Sequence, residues 1–159
     1  MDPNLFLFEF EKSECINVPT LLEASVSEKH GLGVFALQDI EAGLFLLEYG
    51  GDLLSHTMAK ARESVYNNDA CCYMFFFRNR SNRMVCLDAT RDDPSFGIAK
   101  YINHSRKEAN IKPILLHDRT GRPRLSFQSI KRIPKGAEVL FDYGERRTSV
   151  LRALPWLKE

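Results

Sequence analysis

Two short stretches carry side chains able to hold and align a polar ligand. The first, Lys100-Tyr101-Ile102-Asn103-His104-Ser105, is an apolar run ending in an amide, an imidazole and a hydroxyl. Asn103 and His104 place donors and acceptors side by side. The second, Leu140-Phe141-Asp142-Tyr143-Gly144-Glu145, ends in an acidic, aromatic turn. Tyr143 brings a hydroxyl and an electron-rich ring face that attracts cations. Each stretch has the form of a strand running into a turn. No Ser/His/Asp or Cys/His arrangement for covalent catalysis accompanies them.

A third stretch, Gly31-Leu32-Gly33-Val34-Phe35-Ala36, fits the dinucleotide-binding spacing G-x-G-x-x-[G/A]. That motif needs a strand before it and a helix opening at its glycines. Here Ser25–His30 is polar and the residues after Gly33 are strand-like, so a nucleotide fold is rejected. The glycines still allow backbone to approach a ligand without a Cβ in the way.

The elements that must position these residues are short. Gly33–Leu37 and Leu44–Tyr49 read as strands around a turn at Asp39–Gly43. Residues 57–66 read as a helix with Thr57 as N-cap. Cys72–Phe77 and Met84–Ala89 flank the polar turn Asn79-Arg80-Ser81-Asn82, a hairpin pattern. Ile111–His117 and Leu125–Ile130 flank Asp118–Gly121 in the same way. Thr148–Leu154 reads as two helical turns stopped by Pro155. Leu5–Phe10 lies in an apolar N-terminal run whose periodicity does not decide between strand and helix. No β-α-β rhythm and no repeat occurs, which favours a mainly β fold with short helices.

With 159 residues the chain suits one domain with a real core. The apolar runs are far shorter than the roughly 20 residues of a membrane span. The acidic start MDPNLFLFEFEKSE does not read as a signal peptide. A net charge of +1, with arginines in small scattered groups, argues against broad nucleic-acid binding. These groups, Arg78/Arg80/Arg83 among them, read as solvated faces. The four cysteines (Cys15, Cys71, Cys72, Cys86) contain no C-x-x-C pair and read as reduced thiols, not a metal site.

Four blocks occur in a fixed order: Gly31-Leu32-Gly33-Val34 with Gly43; Glu48-Tyr49-Gly50-Gly51-Asp52; Tyr101–Ser105; and Leu140–Gly144. Together they resemble the SET-domain protein lysine methyltransferases. Within that family the chain is most similar to the branch that monomethylates lysine 20 of histone H4. Cys72-Tyr73-Met74, Cys86–Arg91 and Pro155-Trp156-Leu157-Lys158 carry this closer likeness.

The resemblance implies a SET domain of small sheets in a β-clip, closed by a C-terminal pseudoknot. Its expected boundaries are an N-terminal extension over 1–27, the SET domain over 28–145 and a helical tail without zinc over 146–159. It implies S-adenosylmethionine as methyl donor, no metal, a histone tail or nucleosome as partner, and a nuclear location. The charge pattern and the short apolar runs give the further expectation of no sequence-specific contact to nucleic acid and no membrane association. Carried over position by position, His30, Gly31 and Leu32 match the first donor-binding segment. Tyr73 matches an aromatic contact to the donor, and Asn103 with His104 the pair holding its amino-acid and adenine parts. Trp156 matches a tail aromatic covering the adenine, Tyr49 a tyrosine lining the lysine channel, and Tyr143 the main catalytic tyrosine.

Methyl transfer to lysine needs a neutral amine, although free lysine has a pKa of about 10.4. A dry aromatic channel lowers that pKa and aligns nitrogen, methyl and sulfur. Phe141 departs from the monomethylating branch, which has a tyrosine there; across the family phenylalanine goes with di- or trimethylation. Leu32 stands where that branch has arginine, Asn110 follows the Asn-His-Ser motif later than usual, and Asp92–Phe96 is longer. The expected function is methylation of a histone lysine, with histone H4 the first candidate. The alternatives are a non-histone lysine, or a SET-like scaffold without turnover. Asp52, Asp88, Asp92, Asp93 and Glu145 are either acceptors for a basic tail or solvated turn residues.

Overall fold

The computed structural model describes residues 21–28, 31–67 and 73–159. His30, Cys15, Cys71, Cys72 and the apolar run Leu5–Phe10 lie outside them. The strands are β1 (Leu22–Ser27), β2 (Gly31–Ala36), β3 (Phe45–Glu48), β4 (Asp52–Ser55), β5 (Met74–Arg78), β6 (Met84–Asp88), β7 (Asn103–His104), β8 (Ile111–His117), β9 (Pro123–Ser129) and β10 (Leu140–Phe141). Helix α1 spans His56–Glu63, α2 spans Thr148–Ala153, and a 3-10 turn over Pro155–Lys158 follows. The sheets are small: β1-β2, β10-β7, β3-β9-β8 and β4-β6-β5. This is the mainly β, SET-type arrangement expected from the sequence.

The chain divides into two compact units. Of the described residues, the first comprises 21–28, 31–47, 101–114 and 126–159. In it β2 is a central strand. On one edge it pairs antiparallel with β1, from Leu22 opposite Ala36 to Ser27 opposite Gly31. On the other edge it bonds the 136–139 segment, Val139 N donating to Val34 O at 2.7 Å and Ala36 N to Ala137 O at 3.0 Å. Leu22–Ser27, assigned by the sequence to an N-terminal extension, is therefore paired along its whole length. The sequence hid this because its middle four residues face solvent and give no apolar alternation. Val34, Ile40, Ile102, Phe127, Ile133 and Val139 form the interior of this unit, each at most 2% exposed.

Of the described residues, the second unit comprises 48–67, 73–100 and 115–125. The expected hairpin is present: β5 and β6 run antiparallel from Met74 opposite Asp88 to Arg78 opposite Met84. Helix α1 packs Ala59 against Leu54 and Cys86, flanked by Met74 and Phe76. Its N-cap is Ser55, whose hydroxyl accepts from Met58 N at 3.3 Å, so the helix starts earlier than the Thr57 cap implies. Burial pushes the Cys86 thiol up to about 12, which keeps it protonated and unreactive.

Candidate functional site

Asn103, His104, Phe141 and Tyr143 meet in the first unit because β7 and β10 lie parallel. Asn103 is opposite Leu140 and His104 opposite Phe141. Asn110 locks the pair. Its amide Nδ2 donates to Glu138 O at 2.8 Å, its Oδ1 accepts from Leu140 N at 2.9 Å, and its own N donates to Leu140 O at 2.9 Å. The tail then returns over the motif: Lys107 N donates to Glu159 O at 2.9 Å, and Leu157 is buried. This is the pseudoknot the resemblance implied.

The His104 ring is buried and used at both ends. Its Nδ1 accepts from Tyr143 N at 3.0 Å, so the hydrogen lies on Nε2, which donates to Leu157 O at 3.1 Å. The ring thus ties the tyrosine turn to the tail. Its edge and face are what remain for a ligand.

Tyr143 is 43% exposed. Its hydroxyl donates to Ile102 O at 2.8 Å, and its ring lies 4.6 Å from Phe141, 4.9 Å from His104 and 6.4 Å from Trp156, centroid to centroid. With the hydroxyl hydrogen committed to Ile102, the oxygen can meet a ligand only as an acceptor. Phe141 is buried between Tyr143 and Phe127, the Phe127 ring centre lying 4.9 Å from its own. Beside them, Arg146 bonds to the Asp142 carboxylate and holds its pKa down at about 2, so the turn carries a fixed, paired charge.

The Gly-x-Gly segment reaches the motif through one carboxylate. Asn103 Nδ2 donates to Leu32 O at 2.9 Å and to Glu138 Oε1 at 2.8 Å. Glu138 Oε2 in turn accepts from Ser27 Oγ at 3.1 Å. Both amide hydrogens of Asn103 are therefore used, and its Oδ1 has no partner among the described residues. An amide pinned this way presents oxygen, the group that accepts from an ammonium. Gly33 is needed here for room: a Cβ on it would lie 2.4 Å from Glu138 Oε1 and 3.2 Å from Asn103 Nδ2. Gly31 needs glycine for a different reason, its φ of +80°. Gly33→Ala should therefore leave the fold intact but displace Glu138 and free the Asn103 amide. Loss of one charge-assisted bond predicts about tenfold weaker binding of S-adenosylhomocysteine by calorimetry.

An open groove of about 800 Å³ runs along this unit, lined by Ser27, Glu28, His104, Glu138 and Trp156 among others. That size suits a cofactor-sized ligand. Of the residues implied by the resemblance, His104 and Trp156 line it. Trp156 is 43% exposed and meets His104 edge to face at 6.0 Å. Leu32 is exposed, its carbonyl spent on Asn103.

Tyr49 and Tyr73 belong to the second unit and touch each other. Tyr49 is buried, and its hydroxyl donates to Tyr73 O at 2.9 Å. Its ring packs edgewise on Phe75 at 5.4 Å. Tyr73 has the Lys100 ammonium over its ring at 5.6 Å. The acidic residues weighed as acceptors for a basic tail are mostly spent internally. Asp88 is buried against Arg62 and Tyr66, Asp52 meets Arg62 and Arg91, Asp93 meets Arg91, and Glu145 meets Arg147. Sequence reading missed Glu138 and the carbonyl of Ile102. The available signal was a lone acid between Gly136 and the strand-like Val139-Leu140-Phe141.

A family model described as "SET domain" matches residues 31–144. N-lysine methyltransferase KMT5A-A of Danio rerio is 42% identical over 133 residues, which are 82% of this chain and 37% of that protein. Histone-lysine N-methyltransferase set-1 of Caenorhabditis elegans is 34% identical over 139 residues, 86% of this chain and 56% of that protein. Among solved structures, CpSET8 from Cryptosporidium matches with a TM-score of 0.72 at 36% identity, over 79% of this chain and 58% of that one. A Polycomb complex described as autoinhibited and bound to S-adenosylmethionine matches with a TM-score of 0.63 at 30% identity. That match covers 85% of this chain and 16% of the other. The chain thus spans 37% of the length of its fish relative and 56% of its nematode one.

Proposed function

The chain belongs to the SET-domain family, and from that premise we propose that it transfers a methyl group from S-adenosylmethionine to a lysine amine in a histone tail. Histone H4 is the first candidate, because the relatives named above include KMT5A-A of Danio rerio and the resemblance points to the lysine 20 branch. A nuclear location goes with this reading.

One observation carries it: the parallel β7–β10 pair sets an amide whose two hydrogens are spent beside a half-exposed tyrosine whose hydroxyl donates to Ile102 O. The donor supplies an electrophilic methyl on a sulfonium. The residues present fit such a group. Asn103 Oδ1 takes its α-ammonium, Trp156 and the His104 edge cover its adenine, and Gly31 and Leu32 contribute backbone, with His30 assigned there by the resemblance alone. Tyr143 Oη accepts a hydrogen from the lysine amine and fixes the direction of its lone pair. Apolar surroundings disfavour the ammonium form, so the amine enters neutral. Tyr49 is assigned to the lysine side of the reaction and Tyr73 to the donor side.

The test is mass spectrometry of free histones and nucleosomes incubated with the chain and S-adenosylmethionine. A methyl on a histone H4 lysine supports the proposal. Donor binding without histone methylation moves the substrate to another protein, and no donor binding makes the chain a scaffold.

Phe141 adds a prediction about methyl count. It leaves an apolar wall beside Tyr143 and offers no hydroxyl to hold a water or to restrain the methylated amine. The product should therefore extend to di- or trimethyl-lysine. Phe141→Tyr should lower the ratio of di- to monomethyl product by about tenfold, the worth of roughly one hydrogen bond. The same ratio in both proteins would overturn the role given to this position.

A further inference from the structure

Ser149 is the only serine or threonine of the chain with arginine both three and two residues before it, and an apolar residue follows: Arg146-Arg147-Thr148-Ser149-Val150. Protein kinases choose hydroxyls partly by such charge patterns, because acids in their clefts grip guanidinium groups upstream of the acceptor. Arg146, Arg147, Thr148 and Ser149 are exposed, and Val150 is half-buried. The Ser149 hydroxyl has no partner among the described residues.

A kinase cleft takes its substrate extended, so the local backbone decides whether the pattern can be read. Residues 142–147 carry neither helix nor strand, and Arg147 is already extended, with φ −70° and ψ 122°. Ser149 lies in the first turn of α2, a six-residue helix with no side-chain cap and no buried residue. Helices this short are held by packing and not by propensity, so this turn opens readily. Arg146 and Arg147 meet Asp142 and Glu145 of the same segment, but the arginines are 56% and 76% exposed and such pairs yield to a competing acid. Ser81 makes the contrast. It follows Arg78 and Arg80 and is also exposed. Yet it sits in the tight β5–β6 turn, where Asn79 Oδ1 accepts from Ser81 N and Arg83 N, each at 3.0 Å, and paired strands close on both sides.

We propose that Ser149 is a phosphoacceptor for an arginine-directed protein kinase, with ATP as phosphoryl donor, and that Arg152 then holds the phosphate. Ser149 Oγ attacks the γ-phosphorus of ATP. The Oγ–P bond forms, the bond to the β-bridging oxygen breaks, the hydroxyl proton passes to the kinase's carboxylate base, and ADP leaves. Arg152 is exposed, has no acidic partner among the described residues, and stands three positions on along α2, within reach of the new group. The charge arrives in the segment that joins Tyr143 to Trp156. The site does not rest on the enzymatic reading.

The test incubates the folded chain with ATP and the catalytic subunit of cyclic-AMP-dependent protein kinase, and reads intact mass and peptide fragments. One phosphate on Ser149 is expected. Ser149→Ala should abolish it, Thr148→Ala should keep it, and Arg146→Gln/Arg147→Gln should slow it by about tenfold or more. Melting temperatures near that of wild type show that the variants are folded. No phosphate on the folded chain overturns the proposal. So does a phosphate elsewhere with Ser149 bare, or labelling that appears only after denaturation. Phosphorus NMR then reads the phosphate itself. Its second pKa is ordinarily about 6; a guanidinium favours the dianion and should lower it, and Arg152→Gln should bring it back up. The same value in both proteins overturns the role of Arg152.

Discussion

Tyr143→Phe should lower the methyl-transfer rate about 100-fold or more while leaving affinity for S-adenosylhomocysteine within about threefold. The substitution removes one oxygen and nothing else. The ring remains packed on His104, Phe141 and Trp156, and the His104–Tyr143 main-chain bond is untouched. Two consequences follow from the missing oxygen. The carbonyl of Ile102 loses its donor, and on the role proposed for Tyr143 the lysine amine loses the acceptor that aims its lone pair at the donor methyl. The first cost is to local order and is moderate. The second falls on the rate, because an in-line displacement is steeply sensitive to alignment. Single-turnover transfer to a histone peptide, with calorimetry for donor binding and a thermal melt, separates them. A rate loss below tenfold, with donor binding intact, would show that the hydroxyl does not align the amine.

The same cluster shows what the sequence made legible. Asn103-His104 and Tyr143 announced themselves through residue type, because amide, imidazole and phenol next to turn signals are chemically conspicuous. The β5–β6 hairpin was legible from two apolar runs around Asn79–Asn82, and the tail helix from good helix formers stopped by Pro155. Glu138 was not legible. A single acid in a turn before a strand looks like any solvated residue, and its importance comes from Ser27 and Asn103, which are 111 and 35 positions away. β1 failed for a related reason: its strand state comes from pairing with β2, not from its own alternation. The N-cap was misplaced because Ser55 and Thr57 bracket His56, and propensity alone does not choose between two hydroxyls. Distant partners are the common cause of what stayed hidden.

Asp88 is the sharpest case, and it yields the largest expected effect on stability. The sequence offered it as either an acceptor for a basic tail or a solvated turn residue, yet it is 1% exposed. Burial alone would raise its pKa. Bonds from the Thr90 side chain, Thr90 N at 3.0 Å, Tyr66 Oη at 2.8 Å and Arg62 at 3.0 Å outweigh this and hold its pKa below the ordinary carboxylate value. Asp88→Ala strips four donors, two of them on Thr90, of their acceptor. Arg62 keeps Asp52 at 2.8 Å and is partly exposed, so the cost lies below that of a fully buried orphan charge. A loss of about 3 kcal/mol is expected, or roughly 6–12 °C in melting temperature. The sign with pH follows from the depressed folded-state pKa. The contribution is complete above the unfolded value of about 3.9 and disappears as pH falls through the folded value. The gap in stability between wild type and Asp88→Ala should therefore be constant from pH 6 to 8 and narrow below about pH 4. Denaturant titrations at pH 7 and pH 3 measure it. A gap that does not narrow in acid would mean that Asp88 stabilises the second unit by packing and neutral hydrogen bonding, and that its ionised form contributes nothing.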